Sequence, residues 1–244
     1  MFLAEIYAFL GSVSFVNGNA VKARGYYEKA IKWNTSNSIV YLNYSIMLLR
    51  EGDWRGALPL LEKAEARSRN ELATKNIMVS KASCFWIGGD IDGAIGEFER
   101  VRERYDCLDL NALITLGYMH ILKGDYETAE EYTQKALAEN PSSGAAWDNL
   151  GQIYFRRGET AEAQDAFEKA VLFKPDLPDS LYHLGLIAEQ EGDLTAAAQY
   201  YRRAYFCDIT HFNTVTREQV AAKRAEFEEY EFDGGSGEDD QEED

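Results

Sequence analysis

The sequence predicts an all-α protein built from six copies of one helical hairpin, and three observations carry that prediction. Six times a glycine followed by Asp, Asn or Glu has an alanine five residues beyond it: Gly18/Ala23, Gly52/Ala57, Gly89/Ala94, Gly124/Ala129, Gly158/Ala163 and Gly192/Ala197. The glycines step by 34, 37, 35, 34 and 34 residues, and a period of this size means stacked copies of a single supersecondary unit. Composition agrees, because 45% apolar and 27% charged residues with only four prolines leave ample core and few breakers.

One copy, Gly144 to Leu177, shows how the unit works. Trp147, Leu150, Gly151 and Tyr154 recur at helical spacing and form an apolar stripe on a first helix. Gly158 supplies the left-handed residue that ends it, Glu159 and Thr160 offer acceptors to the next helix, and Ala163, Phe167 and Ala170 make the second stripe. Pro175 closes the unit. The small residues Gly151 and Ala163 let two antiparallel helices approach closely, while Trp147, Tyr154 and Phe167 fill the space beside them.

The pattern Trp147-x-x-Leu150-Gly151-x-x-Tyr154, then Ala163-x-x-x-Phe167-x-x-Ala170 and Pro175, resembles a tetratricopeptide repeat. The fourth copy matches with Leu113, Leu116, Gly117, His120, Ala129, Thr133, Ala136 and Pro141. The sixth matches with Leu181, Leu184, Gly185, Ala188, Ala197, Tyr201 and Ala204. The first offers Tyr7, Leu10, Gly11, Ala23, Tyr27 and Ala30, and the second Tyr41, Tyr44, Ser45, Leu48, Ala57, Leu61 and Ala64. The third, with Met78, Lys81, Ala82, Phe85, Ala94, Phe98 and Val101, departs most, since Lys81 stands where the family usually has an aliphatic residue. The resemblance implies an all-α, right-handed superhelical solenoid over residues 4–211, in repeats of about 4–37, 38–74, 75–109, 110–143, 144–177 and 178–211. Because each repeat buries its apolar face only on its neighbours, no domain boundary is expected inside it. The 37-residue step places about three extra residues near 65–74, as a longer helix or loop.

Thr216-Arg-Glu-Gln219 reads as a capping box, with Val220, Arg224, Phe227 and Glu231 on one helical face, so residues 214–232 are expected to cap the stack. The last twelve residues, 233–244, hold seven carboxylates and no apolar group, and are expected to be a disordered acidic tail. Those seven account for part of the net charge of −17 and leave −10 on the rest, a balance that argues against nucleic acid as a partner. At the other end, Met1 to Val16 is apolar on nearly every face of its helix, is too short to span a bilayer, and lacks a basic leading region. Phe2, Leu3, Ile6, Phe9 and Val13 are therefore candidates for contact with a second subunit, a partner or a membrane surface.

Chemistry is scarce. Cys84, Cys107 and Cys207 lack any Cys-x-x-Cys spacing, which points to a reducing, cytoplasmic setting. His120, His183 and His211 lie on different hairpins, so neither a metal nor another cofactor is expected. There is no Gly-rich phosphate loop, no His-Glu-x-x-His and no nucleophile elbow, and the expectation is a protein that is not an enzyme.

Recognition remains. The family resemblance implies that successive first helices line a concave groove holding an extended or helical peptide. The residues off the packing stripe are Leu42, Asn43 and Ile46, then Asn76, Val79 and Trp86, then Ile114 and Tyr118. Asp148, Asn149, Gln152, Phe155 and Arg156 follow in the fifth copy, and Asp179, Tyr182 and His183 in the sixth. One branch of the family holds a terminal carboxylate with two lysines, two asparagines and an arginine; here those places have Ala8, Ser12, Asn43, Asn76 and Ser80, which excludes that clamp. Asn43 and Asn149 are expected to bond a peptide backbone, and about three aromatic anchors at Trp86, Tyr118 and Phe155 would support affinity near the micromolar range. The expected function is a scaffold or adaptor for a protein partner, with the apolar amino-terminal helix as an alternative docking element for a membrane surface or larger complex.

Overall fold

The computed structural model describes residues 2–106, 108–210 and 213–231. Among them, helices follow one another without a strand: α1 (Phe2–Val16), α2 (Ala20–Lys32), α3 (Ser38–Arg50), α4 (Trp54–Arg67), α5 (Glu71–Ile87), α6 (Ile91–Tyr105) and α7 (Leu110–Lys123). Then come α8 (Tyr126–Glu139), α9 (Gly144–Arg157), α10 (Thr160–Phe173), α11 (Pro178–Glu191), α12 (Leu194–Tyr205), α13 (Arg217–Glu226) and a 3-10 turn, Glu228–Glu231. The acidic tail, Cys107 and His211 lie outside the described residues.

Where the sequence marks no boundary between its third and fourth copies, the contacts divide the chain into two compact units, Met1–Ala112 and Leu113–Asp244. In the first unit α1 pairs with α2, α3 with α4 and α5 with α6, and the pairs stack through α2 on α3 and α4 on α5. In the second, α8 packs on α9, α9 pairs with α10, α10 packs on α11, and α11 pairs with α12, which carries α13 and the 3-10 turn.

The hairpin turns follow from glycine. Each repeat glycine has a positive φ, from 73° at Gly18 to 84° at Gly192. At Gly158 the left-handed conformation returns the amide to the last turn of α9, on the carbonyls of Phe155 and Tyr154, which ends the helix. The acidic residue that follows opens the next helix, as where Asp90 Oδ1 accepts from the Gly93 amide at 2.8 Å and Asp53 Oδ1 from that of Gly56 at 2.9 Å. Glu159, expected to do the same, makes no side-chain cap. Its extra methylene carries the carboxylate past the amide that the shorter Asp reaches.

In the first, fifth and sixth hairpins the two helices meet at a glycine facing a ring. A Cβ on Gly11 would fall 2.6 Å from the Tyr27 ring, and one on Gly151 or Gly185 would fall 2.5 Å from Phe167 or Tyr201. All three rings are fully buried. The extra residues of the 37-residue step lengthen α5 to 17 residues, with Asn70 Oδ1 capping it through the Ala73 amide.

Lys81 is buried on α5 without loss of pairing. Its ammonium lies 2.8 Å from Glu65 on α4 and 2.9 Å from Glu97 on α6, and Arg100 closes the network at 2.7 Å from Glu65 and 2.6 Å from Glu97. Burial pulls the Lys81 pKa down, but the bonds to Glu65 and Glu97 outweigh it and hold it above the usual lysine value. The position that departs most from an aliphatic pattern thus joins three helices through charge-assisted bonds.

Thr216 and Gln219 form the reciprocal capping box, with Thr216 N donating to Gln219 Oε1 at 2.8 Å and Gln219 N to Thr216 Oγ1 at 3.2 Å. Val220 and Phe227 turn inward, and Phe227 lies against Tyr201 with ring centroids 5.3 Å apart.

Gly151→Ala is expected to cost about 1–3 kcal/mol in urea unfolding, because the methyl overlaps the Phe167 ring, and Gly151→Ala/Phe167→Leu should recover part of it. Lys81→Met should cost about 1.5–3 kcal/mol, since buried Glu97 keeps Arg100 but loses the ammonium, whereas Lys81→Met/Glu97→Met should be milder than the single change.

Candidate functional site

The candidate groove residues of the first unit divide by burial. Leu42 is in the core with Tyr41, Leu61 and Ile77. Asn43 is half-buried and donates Nδ2 to the Tyr27 hydroxyl at 3.1 Å, so one of its two amide N–H groups is committed inside the hairpin stack. Ile46, Val79 and Trp86 are half-buried and Asn76 is exposed.

In the second unit more of the predicted surface is interior. Tyr118 is 9%, Asn149 3%, Gln152 1% and His183 9% exposed, whereas Ile114, Phe155 and Tyr182 are half-buried and Arg156 is exposed. Asn149 donates Nδ2 to the Ile114 carbonyl at 2.8 Å, bonding α9 to α7. The expectation that Asn149 reaches a peptide backbone is therefore corrected, since it is buried and its amide bonds α7, whereas Asn43 is half-buried and commits one amide N–H to Tyr27. Tyr118 is likewise no exposed anchor, and burial, followed by the charges of Asp179 and Asp148, raises its phenol pKa.

His183 is a packing residue. Its ring stacks on Phe167 at 5.0 Å and meets Phe155 edge-on at 4.9 Å. Nδ1 lies 2.7 Å from the Asp179 carbonyl, which can only accept, so Nδ1 carries the proton and Nε2 is bare. Burial lowers its pKa, so the ring is neutral at pH 7. Above it lies an open cleft of about 320 Å³ lined by Tyr126, Phe155, Arg156 and His183.

Beside His183 lies a buried polar cluster that hydrophobic periodicity alone could not reveal. Asp148 accepts from Ser180 Oγ at one oxygen and from Gln152 Nε2, at 2.8 Å, at the other. Asp179 accepts from Asn213 Nδ2 at 2.5 Å, Thr214 N at 2.8 Å, Val215 N at 2.9 Å and Thr214 Oγ1. This carboxylate thus ties α11 to the segment entering α13. The Asp148 bond fixes the Gln152 amide with its nitrogen inward and leaves Oε1 without a partner. Burial, then the charge of Asp179, push the Asp148 carboxyl up to about 7. Both its oxygens are occupied by protein donors, so the group reaches no substrate in this arrangement.

The amino-terminal candidates all lie outside the core: Phe2, Leu3, Ile6, Phe9 and Val13 are exposed. Glu5, the one carboxylate of α1, turns away from them and accepts from Thr35 Oγ1, Ser36 N and Ser36 Oγ at 3.0–3.2 Å. Among the described residues no helix is long and apolar enough to cross a membrane, and no three His, Cys, Asp or Glu side chains are grouped to hold a metal ion. Cys84 is buried, and burial pushes its thiol up to about 12.

Two family models match the chain. One, described as tetratricopeptide repeat, matches residues 47–106, and one described as the middle TPR-like domain of cilia and flagella-associated protein 70 matches residues 117–232. The chain is a tetratricopeptide-repeat protein. Solved structures similar to it include a tetratricopeptide-repeat protein from Parabacteroides merdae, at 15% identity over 93% of this chain and 100% of that one, with a TM-score of 0.64. MamA from Desulfovibrio magneticus RS-1 is similar at 22% identity over 68% and 92%, with a TM-score of 0.57. YrrB, described as a TPR protein with an unusual peptide-binding site, is similar at 19% identity over 81% and 97%, with a TM-score of 0.52. No curated protein sequence matches the chain significantly. At these identities the structural likeness is one of fold.

Within this tetratricopeptide-repeat chain, the Asp148 cluster makes a pH prediction. A carboxyl with a folded pKa near 7 and an unfolded value of about 4 binds its proton more tightly in the folded state, so the contribution of Asp148 to stability is fully present below about pH 4 and is lost as pH rises through 7. Asp148→Asn keeps an acceptor for Ser180 and offers the Gln152 oxygen a donor. It should stabilise the fold by on the order of 1–3 kcal/mol at pH 8 and by nearly nothing at pH 4, as read by urea unfolding at both values.

Proposed function

We propose that this protein is a non-catalytic scaffold that binds a partner peptide or helix on the faces of its first helices, with the cleft of the second unit as the principal anchor point. One observation carries the reading: Phe155 and the exposed Arg156 stand at an open cleft whose floor is the packed His183 ring. A half-exposed aromatic on a rigid base beside a cation is the composition of an interaction hot spot. Tyr126 and Tyr182 extend the aromatic character. In the first unit Ile46, Val79, Trp86 and Asn76 are the groove candidates that retain exposure.

The resemblance in fold to YrrB, whose structure is described as having a peptide-binding site, supports this reading. The mechanism is positioning: the scaffold orders a partner without bond chemistry, and two or three anchors of roughly 1.5–3 kcal/mol each, less ordering costs, give affinity near the micromolar range. The proposed setting is cytoplasmic, which suits a protein whose described thiols are buried and unpaired. A second reading, that α1 docks this protein on a membrane surface or larger complex, is favoured by the exposed apolar residues of that helix.

The test is affinity capture from lysate with wild type and a Phe155→Ala/Arg156→Glu variant whose helicity is unchanged. Under the scaffold reading the variant loses its partner by about tenfold or more. Equal retention by both would overturn the cleft as the anchor and favour α1.

A further inference from the structure

We infer that α1 is a self-association surface, and that its occupant is α1 of a second copy of this chain, packed antiparallel. The inference goes beyond the scaffold reading and does not depend on it.

Phe2, Ile6, Phe9, Val13 and Val16 follow one another at intervals of four, three, four and three residues. That is the spacing of a helix–helix seam, with an average of 3.5 residues between successive contacts. Phe2 is 80%, Phe9 67% and Val16 84% exposed, and Leu3, Ile6 and Val13 are exposed beside them. The opposite side of the helix, Ala4, Ala8 and Gly11, is buried against the rest of the first hairpin. The seam is therefore the side of α1 that its own hairpin does not use.

Charge and area select the occupant. The seam carries no charge, and Glu5 is held at Thr35 and Ser36, so two seams meet without like charges opposed. Fully covered, the exposed seam would remove about 600 Å² of side-chain area per copy, so two copies bury at most about 1,200 Å², the lower edge of specific interfaces. The order of residues is also self-complementary, because Phe9 stands midway between Phe2 and Val16. An antiparallel pair brings Phe9 to Phe9 on the two-fold axis and sets Phe2 against Val16, the isologous arrangement that closes at two copies.

The experiment is light scattering after size exclusion on the full chain at roughly 100 µM, a concentration that populates a micromolar dimer. Wild type is compared with Phe9→Glu/Val13→Glu and with Phe9→Leu, each checked by circular dichroism. The expected result is twice the 27.6 kDa chain mass for wild type and Phe9→Leu, and the single mass for the double variant. A wild-type mass of one chain overturns the inference, as does a dimer that survives the double substitution. Co-sedimentation with phosphatidylcholine or phosphatidylserine vesicles completes the test, and a monomer that sediments with either overturns it in favour of a bilayer. Partner capture through Phe155 and Arg156 is indifferent to these outcomes, so the scaffold reading stands or falls separately.

Discussion

The contact on which the rest depends is a glycine of the first helix against a ring of the second: Gly11 on Tyr27, Gly151 on Phe167, Gly185 on Tyr201. In these three hairpins it sets how close the helices come, because the ring occupies the space that any β-carbon would take. A fully buried ring makes dispersion contacts on both faces only at that separation, and the loss from a small gap is steep. Close pairing also has a consequence at the surface. Once one side of each first helix is consumed by its own hairpin, the residues left over must either meet the next hairpin or face solvent. Both outcomes occur, and the division between them decides which side chains are available to a partner.

Where the leftover side meets a neighbouring hairpin, polar groups take part beside apolar ones. Asn149 reaches the Ile114 carbonyl, Ser180 reaches Asp148, and Lys81 joins Glu65 to Glu97. Each is a directional contact between elements far apart in sequence, and each is worth more where water is excluded than at the surface. Apolar stripes repeated every 34 residues would tolerate some sliding, whereas a buried donor has one acceptor it can reach. The polar contacts between hairpins therefore fix register that the stripes leave loose. Asp179 does the same for the last helix, since its four donors include the amides of Thr214 and Val215 and so position the chain before Thr216 begins α13.

Much of this was legible in the residues. The left-handed turn at Gly158, the close approach at Gly151 and the capping box at Thr216 are local devices, and each depends on residues within a few positions or within one hairpin. The second shell of packing was not legible. Gln152 and Arg156 lie one turn apart on the same face of α9, yet one is interior and the other exposed, because the covering comes from α11 and periodicity in α9 carries no information about it. Lys81 looked like a break in the aliphatic pattern because its partners, Glu65 and Glu97, lie 16 residues away on either side, on other helices. Glu159 failed as a cap for a reason of reach, one methylene, that a rule grouping Glu with Asp overlooks.

Two of the exposed features left by this packing, the Phe155 cleft and the α1 seam, differ in kind, and the difference bears on how they could work together. The cleft at Phe155 draws on α8, α9 and α11 and is small, which suits one anchor of a partner. The α1 seam is a single helix face, long and uncharged, which suits another helix of the same character. They share no residue, so occupying one leaves the composition of the other unchanged. A pair of chains joined through α1 carries two Phe155 clefts, and a partner with two anchor segments then binds the second at the effective concentration set by the first. Affinity at a small cleft is limited by the few side chains it can bury; pairing raises avidity without enlarging the cleft. Self-association through an otherwise idle helix face is thus a physical route by which a scaffold of weak individual sites holds a partner firmly.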